Sequence, residues 1–61
     1  MSIPLTEQLK EVERELAIRR AVYPGLVERK RMKQGAADEC MARLAAVAET
    51  LRQLMAGGKW D

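Results

Sequence analysis

Four cations fall within five positions, Arg29, Lys30, Arg31 and Lys33, inside the run AVYPGLVERKRMKQGAA at residues 21–37. Arg19 and Arg20 join them if the chain bends between. Clustered positive charge is what neutralising phosphates requires, and it requires little else. These residues are therefore candidates for an anion or partner-binding site, with nucleic acid or a nucleotide signal as the ligand. The same residues also fit a solvated turn tip. Base stacking is poorly supplied, because the chain holds one tyrosine, one tryptophan and no phenylalanine.

Other chemistry is thin. Cys40 is the single cysteine, and there is no histidine to activate it. Ser2, Thr6, Thr50 and Tyr23 lack a histidine base for the same reason. Glu7, Glu11, Glu13 and Glu15 read as an outer, solvated helix face. One thiol without histidine makes no tetrahedral metal site, and no glycine-rich phosphate loop follows a strand. The residues point to no enzyme, no metal and no cofactor. Tyr23 falls on an apolar stripe, so core packing and an interface anchor are its two readings. Trp60 either folds back on the last helical turn or stands out as an anchor for a partner.

These residues need elements to hold them. Leu5, Leu9, Val12, Leu16, Arg19 and Tyr23 alternate steps of four and three, which is a helical stripe with one polar member. Ile18 and Val22 widen it. The first helix is expected over about 5–30, with Pro4 in its first turn and Ser2 or Thr6 as N-cap. Tyr23-Pro24-Gly25 opposes it, because proline removes a hydrogen bond and clashes with the carbonyl four residues back. Leu26 nevertheless stays in phase with Tyr23. The favoured reading is a kink at 23–25; a break followed by a short separate helix is the alternative. A turn follows at about 31–34.

The second helix is expected over about 35–56. Ala37, Met41, Leu44, Ala48, Leu51 and Met55 form its stripe, with Cys40, Val47 and Leu54 alongside. The face suits packing in a bundle. Its alanines allow close approach, and Leu44 at the centre is the expected core position. Asp38 and Glu39 near the start and Arg52 near the end suit the helix dipole. Gly57-Gly58 stops the helix, leaving a short tail over 57–61. The fold class is all-α: a two-helix antiparallel hairpin in a single domain over 1–61.

At 61 residues the chain buries only about 60% of its unfolded surface and is marginal alone, a size at which a staple or an oligomer is usually needed. With no disulfide or metal available, a homo-oligomer is the expected remedy, with C2 pairing as its basic unit. No apolar run reaches the roughly 20 residues of a membrane span, and no secretory leader is read at the N-terminus. The single cysteine suits a reducing cytoplasm. Net charge is +2, distributed as −2 over residues 1–18, +5 over 19–33 and −1 over 34–61. The positive excess therefore lies around the bend.

The pattern Val22-Tyr23-Pro24, Arg31-Met32, Ala37 with Glu39, Met41, then Ala46-Val47 with Thr50-Leu51 resembles a family of short uncharacterised proteins from bacteriophages and prophages. The resemblance spans about Leu9 to Leu54. The chain departs from it at Lys33, where similar chains tend to place a small polar cap, and at Lys30, near which they tend to have glycine. The resemblance implies a setting in a bacterial host and no defined activity. The expected function is binding to a host or phage protein, as a host-takeover or counter-defence module. A nucleic-acid or nucleotide binder acting through the basic bend is the alternative, and a small virion or assembly component is a third.

Overall fold

The computed structural model describes residues 2–57. Two α-helices of 24 residues each make up the fold, α1 over Leu5–Glu28 and α2 over Gln34–Gly57. They pack against one another as a hairpin across a five-residue turn at 29–33. No residue among those described is in a strand. The molecule measures 43 × 24 × 17 Å, and its radius of gyration is 14.2 Å. A compact domain of this length would have a radius of about 10.5 Å, so the hairpin is an elongated body.

Helical periodicity decides which residues meet. Leu5, Leu9, Val12, Arg19, Tyr23 and Leu26 of the α1 stripe are half-buried, and Leu16 is buried. On α2, Met41, Leu44 and Leu51 are half-buried, while Ala37 and Ala48 are buried. Met55 alone of that stripe is exposed. Leu44 is thus not a core residue within one hairpin, contrary to expectation. The deepest positions are Leu16, Ala37 and Ala48, at 5%, 3% and 0% exposure. Two of these three are alanines, because the smallest side chains sit where the helix backbones come closest.

Pro24 does not interrupt α1, which runs through it to Glu28. The reading of a break into two helices is overturned. Pro24 and Arg20 both lie on the exposed side of the helix. A carbonyl left without its helical donor, as at Arg20, is tolerable on such an exposed residue, where water can take the donor's place. The in-phase Leu26 packs inward on the far side of the proline and rewards continuation.

Several end positions differ from expectation. The N-cap of α1 is Pro4, with no side-chain cap bond, so neither Ser2 nor Thr6 caps the helix. The Pro4 carbonyl instead accepts from the Glu7 and Gln8 amides at 3.0 and 3.1 Å. Gln8 Nε2 also donates to the Ile3 carbonyl at 2.8 Å, tying the preceding segment to the first turn. Helix α1 stops two residues earlier than expected, and α2 begins one residue earlier and ends one later. Asp38 and Glu39 lie beyond the first turn of α2 and Arg52 before its last, where the dipole's influence has fallen off.

Candidate functional site

The turn is built on the backbone before any side chain matters. The Lys30 amide donates to the Val27 carbonyl at 3.0 Å, and the Arg31 amide to the Leu26 carbonyl at 2.9 Å. This pair of bonds defines a Schellman motif, with Arg29 as C-cap and Lys30 as the residue after it. Lys30 has φ of 59°, in the left-handed region. That position normally carries glycine, because a Cβ there meets the carbonyl oxygen. Lys33 precedes α2, and its carbonyl accepts from the Ala37 amide at 3.0 Å. It is the N-cap of α2, yet an ammonium has no acceptor with which to cap a free helix amide. Lysine therefore occupies both positions at which local stability asks for something else.

Ion pairing divides the cations sharply. Lys10 pairs with Glu7, Arg14 with Glu11, Arg19 with Glu15, Arg43 with Glu39, and Arg52 with both Glu13 and Glu49. Among the described residues, Arg20, Arg29, Lys30, Arg31 and Lys33 have no ion pair and are exposed. Arg19 is thereby removed from the expected cluster. Its Nε donates to Glu15 Oε1 at 2.9 Å, and this bond is the main cause that raises its pKa above the ordinary guanidinium value. Arg20 lies two helical turns before the end of α1, about 12 Å back along the axis. The turn thus gathers Arg29, Lys30, Arg31 and Lys33.

These four do not converge on one cavity. Lys30, Arg31 and Lys33 border a shallow open dish together with Val27, Met32 and Gln34. Arg29 and Arg31 border another with Leu26. Arg29 also reaches back over Gly25, where its Nη2 lies 3.1 Å from the position a Cβ would take. Glu28 is the one carboxylate within this segment, and it is exposed. The charge is spread around a convex tip.

A second surface runs along the hairpin. Ile18, Val22 and Val47 are 42%, 45% and 46% exposed. In an antiparallel pair the helical repeat puts Ile18 and Val22 on the same broad side as Cys40, Val47 and Leu54. A groove on that side is lined by Arg19, Cys40, Arg43, Leu44 and Val47. The opposite edge is closed by the one ion pair that joins the helices among the described residues, Arg52 Nη2 to Glu13 Oε2 at 2.9 Å. Tyr23 is half-buried and borders the crevice between the helices near the turn, with Pro24, Val27, Gln34, Ala37, Asp38 and Met41. That is a packing position. Trp60 lies outside the described residues.

Periodicity brought Ile18, Val22 and Val47 to attention only as flanks of the stripes. Their exposure follows from the alanine-lined approach of the helices, which leaves the flanks unroofed. Nothing in the identity of Lys30 announces a left-handed backbone. No helix is long and apolar enough to cross a membrane among the described residues. No protein-family model, curated protein or solved structure matches the chain.

Proposed function

We propose that this chain is a non-enzymatic binding protein whose hairpin pairs with a second copy through the side bearing Ile18, Val22 and Val47. The observation that carries this reading is the mismatch between core and surface. Among the described residues three are buried, while five large apolar side chains, Ile3, Ile18, Val22, Val47 and Met55, are exposed. The accessible surface is 4915 Å² for a 6.9 kDa chain. A folded monomer of that mass is expected to expose about 4,000 Å². The larger surface is that of an elongated hairpin which leaves the apolar flanks of its helices uncovered. Two hairpins placed face to face would give a four-helix bundle, the arrangement this pattern of faces suits.

The lack of histidine and the solvent exposure of Thr6 and Thr50 support a role without catalysis. A host or phage protein as the further partner, and a bacterial cytoplasm as the setting, rest only on the resemblance of the residue pattern to small phage and prophage proteins. Pro24 is read as bending α1 without breaking it, which would wrap the helix around the paired bundle. The test is sedimentation of wild type and Val47→Glu. Wild type should sediment as a dimer or larger closed oligomer at micromolar concentration. Val47→Glu, at an exposed position of the single hairpin, should shift it toward monomer. A wild-type chain that is folded and monomeric throughout that range overturns the proposal.

A further inference from the structure

We infer that the turn at residues 29–33 is a nucleic-acid backbone site, reading phosphates and not bases. Three observations carry it. First, the cations divide by pairing: Lys10, Arg14, Arg19, Arg43 and Arg52 are each paired with a carboxylate, whereas among the described residues Arg20, Arg29, Lys30, Arg31 and Lys33 are not, and four of these five lie in the turn. An unneutralised group of this kind at one end of a 43 Å body concentrates positive potential there.

Second, the lysines stand where turn chemistry opposes them. Lys30 takes the left-handed position of a Schellman motif, and Lys33 takes an N-cap that it cannot serve. Local rules broken in this way mark sites shaped by something other than folding. Glycine at 30 and serine at 33 would serve the turn better, and each would remove one charge.

Third, the arrangement selects the class of ligand. The cations border two separate dishes and share only Arg31, so they fit a chain of phosphates better than one compact anion. Two guanidiniums, Arg29 and Arg31, suit bidentate contact with phosphate oxygens. The exposed large apolar residues, Ile3, Ile18, Val22, Val47 and Met55, all lie away from the turn. Apolar surface at the tip is limited to the half-buried Leu26, Val27 and Met32, less than the exposed wedge of a membrane-surface segment or the apolar centre of a protein interface. Among the described residues the one aromatic side chain, Tyr23, is half-buried between the helices, so sequence preference through base stacking is not expected.

The experiment is fluorescence anisotropy of a labelled 20-base-pair duplex with the full chain at 50 and 200 mM salt, repeated with a duplex of scrambled sequence. With four phosphate contacts the slope of log K against log salt is about −3.6, a loss of about 150-fold between the two conditions. The scrambled duplex should bind equally. The paired variant Lys30→Gly/Lys33→Ser should halve the slope and weaken binding at least tenfold at 50 mM salt. Circular dichroism should show its helicity undiminished, which separates loss of binding from loss of fold. Lys10→Gln/Arg43→Gln changes net charge equally but removes cations already paired, and should bind like wild type. This readout does not depend on whether the hairpin dimerises. No binding at 50 mM salt overturns the inference. So does equal weakening by the two paired variants, or stronger retention by phosphatidylserine vesicles or polyglutamate than by the duplex.

Discussion

Lys30 shows how much can rest on one backbone angle. A side chain in the left-handed region costs roughly 1–2 kcal/mol relative to glycine, offset in part by the greater chain freedom that glycine loses on folding. Lys30→Gly should therefore stabilise the hairpin by about 1 kcal/mol. In a domain of this size that raises the melting temperature by about 4–8 °C, read by circular dichroism at fixed protein concentration. An unchanged or lower melting temperature would show that residue 30 is not left-handed in solution. Exposed pairs elsewhere matter less. The Arg14 guanidinium, hydrogen-bonded to Glu11, holds that carboxyl below the usual carboxylate range. Both groups stand in water, where such a pair adds little to stability.

At the scale of the helices, burial separates residues that share a stripe. Leu16 is 5% exposed and is the one large side chain among the three buried positions, the other two being Ala37 and Ala48 on the facing helix. Leu16→Ala should cost roughly 2–5 kcal/mol, enough to unfold a small hairpin, whereas half-buried Leu44→Ala should cost less. Urea titration of the two variants ranks them, and the reverse order would place the core on the other flank. The existence, number and inward faces of both helices were legible, because a stripe of period 3.6 survives any choice of neighbour. Pro24 was legible as a conflict whose outcome depends on the surroundings of the Arg20 carbonyl. The turn, expected at about 31–34, lies at 29–33; cap positions are recognised by residues with the right acceptors or backbone freedom, and here lysines fill them. The basic cluster was visible in sequence, and so was the i, i+4 spacing through which Glu15 pairs with Arg19 and withdraws it from the cluster. The depth of Leu44 relative to Leu16 depended on how the helices cross, which a stripe does not encode.

As a whole molecule the hairpin is polarised in two directions. Along its length, the turn end is cationic, while the helix ends near the chain termini carry the paired acidic residues Glu7, Glu11 and Glu49. Across its width, one edge is joined by Arg52 and Glu13, and the broad side with Val22 and Val47 presents apolar surface to water. If that side is covered by a second copy, folding and association are one equilibrium. The melting temperature should then rise steadily with protein concentration, because only the folded form has a partner to bind. A melting temperature constant over a hundredfold range would mean that the hairpin holds itself together unaided.

The two misplaced lysines also have a genetic consequence. Lysine and asparagine codons differ by one base, and asparagine both tolerates the left-handed region and caps a helix well. A sturdier turn is therefore one point mutation away at residue 30 and another at residue 33. A population selected only for resistance to heat should drift to asparagine at both sites. One selected for whatever the cationic tip holds should stay with lysine and accept the looser turn.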